Sequence, residues 1–219
     1  MYTRAVSYMN DCLTGKKELP DAREKLHNWD IFTSMMLAAW IRRFTKENKT
    51  ANAVAARWAK VITAAFADDS YNHEKYTVAY QAEFGLKPSG GRLVDFVSFY
   101  QVSLLSDCLD EKTELAVMDY ILHKDDGIYY IYSGRLCDVP KLFESKSASR
   151  YLGAMELLAE YPYGKKKLAF VVDRLSSNRN VNGKWDMGKT VNDKVYFPLS
   201  DNWRKKRHGR LTARSGFAG

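Results

Sequence analysis

The chain has little of what marks several protein classes. Its three cysteines, Cys12, Cys108 and Cys137, are odd in number and far apart. That excludes a disulfide framework and reads as reduced thiols of a cytoplasmic protein. The longest apolar run, Met35 to Ile41, is far too short to cross a bilayer. The opening MYTRAVSYMNDC has no apolar stretch after its arginine, so no secretory leader is read there. Strand-like alternation is confined to GIYYIYSG (127–134), with a second short candidate in KVYFPL. Acids are missing from Trp203 to Gly219, where Arg204, Lys205, Lys206, Arg207, Arg210 and Arg214 give +6 of the chain's net +8. Residues 1–202 are therefore nearly balanced, and only the tail is strongly basic.

What is present is apolar spacing of helical period. A hydrophobic content of 46% and an aromatic content of 13% over 219 residues supply a real core. Phe32, Met35, Met36, Ala39 and Trp40 form one stripe, and Val54, Trp58, Val61, Ile62 and Ala65 a second. Further stripes are Tyr76–Ala79–Tyr80–Phe84, Leu93–Phe96–Tyr100–Leu104 and Leu115–Met118–Ile121–Leu122. The last two are Tyr151–Leu152–Met155–Leu158 and Leu168–Val171–Val172–Leu175. The spacing predicts an all-α chain with at most one small β-hairpin near 127–134.

The turns between the stripes repeat. DDSY, DDGIY and VNGKW each follow a helical run and bring an aromatic, Tyr71, Tyr129 or Trp185, shortly after the turn residue. Asp69 and Asp126 are 57 residues apart, and Gly127 and Gly183 are 56 apart. Trp40, Phe96 and Leu152 keep the same step of 56. A period of that length fits two helices and their connections, an α-helical hairpin that buries its apolar face by stacking on its neighbours.

The segment FVVDRLSSNRNVNGKWDMG resembles the repeat of the squalene-cyclase and prenyltransferase superfamily. In that repeat an apolar helix ends in Leu-x-x-Gln and leads to Gly-x-Trp. Leu175 and Gly183-Lys184-Trp185 match, and Asn178 stands where the family usually has Gln. The match covers about residues 145–188 and fades over 29–144. It implies a ring of α/α hairpins around a cavity, with Asn178, Gly183 and Trp185 in a structural role. Residues 1–203 have room for about three and a half such hairpins, so an arc or incomplete toroid is expected. A second copy of the chain would be one way to complete it. The basic segment 204–219 is read as a tail.

The resemblance also implies chemistry that can be tested against the residues. The cyclases' Asp-x-Asp-Asp acid is not matched by Asp107–Glu111, DCLDE. The Asp-Asp-x-x-Asp magnesium motif is begun by Asp68-Asp69 and by Asp125-Asp126, and neither has the third acid. Cys137-Asp138 with His123 or His73 does not have the zinc spacing of the protein prenyltransferases. The catalytic candidates are therefore Asp68, Asp69, Asp125, Asp126 and Asp186, the last with Asp126 as a carboxylate pair of the sugar-hydrolysing kind. Acids at turns also occur as plain loop chemistry. No metal site or cofactor is expected, and magnesium would enter only with a bound diphosphate.

Tyr76, Tyr80, Tyr100, Tyr129 and Tyr130 are the aromatic candidates for lining a concavity, where ring faces attract cationic or apolar ligands. The alternative is that bulky rings fill the space between hairpins. Arg204, Lys205, Lys206 and Arg207 are the candidate anion-binding residues. The leading expectation is a terpene-cyclase- or prenyltransferase-like protein that binds an isoprenoid or other apolar molecule. The alternative is a helical-repeat module for protein or nucleic-acid partners that uses the basic tail.

Overall fold

The computed structural model describes residues 3–18, 28–90 and 93–186. KVYFPL lies outside the described residues. Within them the chain forms helices and no strand, so the protein is all-α. No helix among them is long and apolar enough to cross a membrane. The chain divides into two compact units, Met1–Tyr120 and Ile121–Gly219, where the sequence reading had one domain over 1–203.

The first unit holds α1 (Thr3–Leu13), α2 (Trp29–Phe44), α3 (Lys49–Ala65), α4 (His73–Phe84) and α5 (Phe99–Leu105), and most of α6 (Glu111–His123). Several of these helices begin on a side-chain acceptor for an otherwise unpaired backbone N–H. Asn48 accepts from Ala51 N at 2.9 Å, Asn72 from Lys75 N at 2.9 Å, and Asp110 from Thr113 N at 3.0 Å. α4 ends on Gly85, whose φ of 77° is a left-handed helix stop. α2 packs against α1, α3 and α5, and α3 against α4. Of the stripes predicted for α2 and α3, Phe32, Met35, Ala39, Trp58, Val61, Ile62 and Ala65 are buried, and Met36, Trp40 and Val54 are half-buried.

One charged side chain sits inside this packing. Arg42 of α2 is buried and donates to Leu104 O (3.2 Å), Ser106 O (3.0 Å) and Cys108 Sγ (3.1 Å). It also bonds Asn52 of α3 and pairs with Asp107. A buried guanidinium is stable only when its donors are this fully used.

The fourth predicted stripe is corrected. Only Phe99–Leu105 is helical there, started by a capping box in which Ser98 N donates to Gln101 Oε1 at 3.0 Å. Leu93 and Phe96 are buried from the irregular segment that precedes it. Burial alone produced a spacing that imitated a helix, so Phe96 does not share a helical setting with Trp40 and Leu152.

The second unit contains the end of α6, α7 (Lys146–Leu158), a 3-10 turn (Gly164–Leu168) and α8 (Ala169–Ser177). Ser145 starts α7 by accepting from Ala148 N at 3.0 Å. The hairpin expected near 127–134 is reduced to a tight turn closed by one bridge, Ile128 to Tyr132. Ile128, Ile131 and Leu136 anchor that turn in the core, and Tyr151 donates to Leu136 O at 3.0 Å.

α2 packs on α3, and α5, α6, α7 and α8 follow in sequence, with α4 between α3 and α5. Asp69 (φ 60°) follows α3, Gly127 (φ 59°) follows α6 and Gly183 (φ 70°) follows α8, all left-handed. In each case the aromatic Tyr71, Tyr129 or Trp185 stands two residues on. Gly127 admits no side chain, because a Cβ there would lie 2.4 Å from Tyr132 O and 2.5 Å from Gly134 O.

Candidate functional site

The tyrosines expected to line a concavity separate into three environments. Tyr76 and Tyr80 of α4 are fully buried. Tyr80 packs on Trp58 (ring centroids 5.8 Å), Tyr76 (5.9 Å) and Phe84 (4.8 Å). Their hydroxyls are used internally: Tyr76 donates to Leu93 O at 2.7 Å, and Asn28 Nδ2 donates to the Tyr80 oxygen at 3.1 Å. Burial raises the Tyr76 phenol well above the ordinary range, and it pushes Tyr80 up to about 12 against the opposing bond from Asn28. Tyr100 is half-buried, edge-on to Phe32 at 5.8 Å. Tyr129 and Tyr130 are exposed in the second unit, their rings 4.1 Å apart at the tip of the 127–134 turn.

The paired aspartates are each answered by a base. Asp68 meets Lys75 at 2.6 Å, and Asp69 meets Lys112 at 2.9 Å. In the second unit Asp125 accepts from Arg135 Nε at 3.0 Å, and Asp126 meets Lys124 at 3.2 Å. The Arg135 guanidinium holds the Asp125 carboxyl below its usual range. A carboxylate already neutralised by an ammonium or guanidinium has less to offer a divalent cation. Among the described residues no group of three His, Cys, Asp or Glu converges as a metal site would require. Asp186 is exposed at the end of the described chain.

The segment around Asp69 carries a cluster that sequence reasoning missed. The Tyr71 hydroxyl lies 3.3 Å from His73 Nδ1, and that nitrogen lies 4.0 Å from Asp95 Oδ1. The Tyr71 ring stacks on Tyr120 at 4.7 Å and contacts Phe66 and Tyr76. Burial, reinforced by Asp95, raises the Tyr71 phenol far above its ordinary value. The cluster ties the α3–α4 turn to the segment before α5. Asp95 is remote from Tyr71 in sequence, so no local spacing announced it. Arg42 had a readable signal, since it continues the Met35–Ala39 stripe at the next helical step.

Asn178, Gly183 and Trp185 all serve the C-terminal end of α8. Asn178 Nδ2 donates to Arg174 O at 2.8 Å, and Trp185 Nε1 donates to Leu175 O at 2.6 Å. The first satisfies a carbonyl of the last helical turn, and the second adds a bond to Leu175 O, which also accepts from Asn178 N at 3.1 Å. Gly183 turns the chain between them, and Arg179 lies over the Trp185 ring at 5.8 Å. Arg204, Lys205, Lys206 and Arg207 lie outside the described residues.

A comparison of the chain with protein-family models, with curated proteins and with solved structures finds no match.

Proposed function

We propose that this chain is a helical-hairpin-repeat binding protein that works through its surface. The observation that carries this reading is the use already made of the candidate site groups. Tyr76 and Tyr80 have their ring faces against other rings and their hydroxyls bonded internally. Asp68, Asp69, Asp125 and Asp126 are each paired with a base. What is left for a partner is on the outside. The three left-handed turn residues, each followed two positions later by an aromatic, support a distant kinship with the α/α-toroid superfamily as well.

A second reading keeps the apolar ligand of that superfamily. It is favoured by the Tyr129–Tyr130 pair, two touching and exposed rings on a tightly built turn. Native mass spectrometry of the protein purified from cells separates the two. A second copy or a bound macromolecule, with no small-molecule adduct, is the expected result. A retained isoprenoid mass on the monomer would replace the first reading by the second.

A further inference from the structure

Asn178, Asn180 and Asn182 follow one another closely at the end of α8. The fold uses the first two side chains. Asn178 Nδ2 donates to Arg174 O at 2.8 Å, and Asn180 Oδ1 accepts from Asn182 N and Lys184 N, both at 3.0 Å. The Asn182 side chain is exposed and has no hydrogen-bond partner among the described residues. Asn182 is also the one asparagine of the chain that a glycine follows. Gly183 has no Cβ to keep a neighbouring carbonyl carbon away from its backbone nitrogen. A guanidinium is held against the same glycine. Arg179 Nε donates to Gly183 O at 3.1 Å, and Arg179 Nη2 would lie 2.9 Å from a Cβ placed on Gly183. Lys184 comes next in the chain, and Asp186 is the nearest acid in sequence.

We propose that Asn182 is a site of spontaneous covalent modification, converted to aspartate and isoaspartate through a cyclic imide with Gly183. The Gly183 backbone nitrogen attacks Cγ of Asn182. The N–Cγ bond forms, the Cγ–Nδ2 bond breaks, and the proton of the Gly183 amide leaves with the departing ammonia. Water then opens the imide. Cleavage of the N–Cγ bond gives aspartate, and cleavage at the main-chain carbonyl gives isoaspartate, whose backbone runs through Cβ and Cγ. Water is the only co-reactant. Arg179 stabilises the negative charge that develops on the Gly183 nitrogen and on the Cγ oxygen, and it stands ready to pair with the new carboxylate. The bond from Gly183 N to Asn180 O, 2.9 Å, must open before attack. Residues 179–182 and Lys184 are exposed, so this opening disturbs little of the core. Isoaspartate lengthens the backbone inside the turn that Asn180 N closes on Lys184 O at 2.9 Å. The modification therefore adds a negative charge and loosens the turn that brings Trp185 Nε1 to Leu175 O.

This inference goes beyond the binding-protein reading and does not depend on it. Its test is to hold the full chain in mildly alkaline buffer and map its peptides over time, with fragmentation that separates isoaspartate from aspartate. Asn182 is expected to gain about 1 Da as its amide becomes a carboxylate. It should convert about tenfold or more faster than Asn178 or Asn180. Asn182→Gln, whose longer side chain needs a larger ring, should abolish the conversion. Arg179→Gln should slow it about threefold, the effect of one exposed charge, and Arg179→Lys should keep most of the rate. Circular dichroism of each variant should match the wild type, since these side chains are on the surface. Conversion of Asn182 no faster than that of Asn178 and Asn180 in the folded chain overturns the proposal. So does conversion that occurs only in urea, which would show that the folded turn shields the site. A rate that is unchanged or raised in Arg179→Gln removes the role given to Arg179.

Discussion

The two compact units both bury aromatic rings, and the second also displays a touching pair of them at a turn. In residues 1–120 the rings of Trp58, Tyr76, Tyr80, Phe66 and Phe96 are buried against one another, and the charges nearly cancel. In residues 121–219 the turn aromatics Tyr129 and Tyr130 and the side chains of Leu142 and Val181 are exposed, and 19 Lys and Arg against 10 Asp and Glu give a net of +9. The turn position itself shows the contrast. Tyr71 follows Asp69 into an aromatic stack, whereas Tyr129 follows Gly127 to the surface. The same local code therefore leads to packing at Tyr71 and Trp185 and to display at Tyr129. Which outcome occurs depends on whether neighbouring helices cover the turn.

The largest expected effect tests the packed unit. Trp58→Ala should destabilise the protein by about 3–5 kcal/mol, because Trp58 is 1% exposed among rings that cannot all collapse into the space left. Trp185→Ala should cost less, near 3 kcal/mol, since Trp185 is at the surface edge with 9% exposure. Urea unfolding of both variants ranks them, and the reverse order would break the comparison.

Next comes the turn position. Gly127→Ala should cost about 2–4 kcal/mol, since it adds left-handed strain to a collision with two backbone oxygens. Asp69→Gly at the equivalent turn should gain up to about 1 kcal/mol, because Asp69 already holds φ 60° and its pair with Lys112 is exposed. Thermal melts of the two variants should shift in opposite directions.

The third effect is alkaline. Tyr71, Tyr76 and Tyr80 have phenols raised above their ordinary value, chiefly by burial. Below pH 10 both folded and unfolded chains hold these protons, and the full stability is present. As pH rises from 10 toward the value of about 12 for Tyr80, the unfolded chain ionises first and stability falls. Tyr151, the raised phenol of the second unit, adds to the same loss. Urea midpoints measured from below pH 10 upward should decline over this window. Tyr80→Phe should flatten the decline, and a decline unchanged by that substitution would contradict the burial of its phenol.

The smallest effect tests the displayed surface. Tyr130 is exposed at φ 77°, so Tyr130→Gly should stabilise the fold by about 0.5–1 kcal/mol by relieving left-handed strain. A loss of stability on that change would show that the ring packs more tightly than its exposure indicates.

How far the chain could be read in advance differed by element. The helices of Phe32–Trp40, Val54–Ala65 and Tyr151–Leu158 were legible because a face buried along its whole length imprints a 3.6-residue period. The turns at Gly127 and Gly183 were legible because few residues accept a left-handed backbone. Leu93 and Phe96 misled, since a buried irregular segment can fall on the same spacing. The Tyr71–His73–Asp95 cluster could not be read, because its members meet only after the segment before α5 folds back. Asn48, Asn72 and Ser98 were readable in principle as helix starts, each being a short polar residue just before a periodic run.

The sequence by itself determined that the protein is all-α, where its turns fall, and that its positive charge is concentrated toward its end. These are local properties, fixed by backbone preference and side-chain period. Tertiary structure alone decided that Tyr76 and Tyr80 are core while Tyr129 and Tyr130 are surface, and that Asp68, Asp69, Asp125 and Asp126 are paired. Burial and ion pairing depend on what comes from elsewhere in the chain, and a residue carries no mark of its future neighbours.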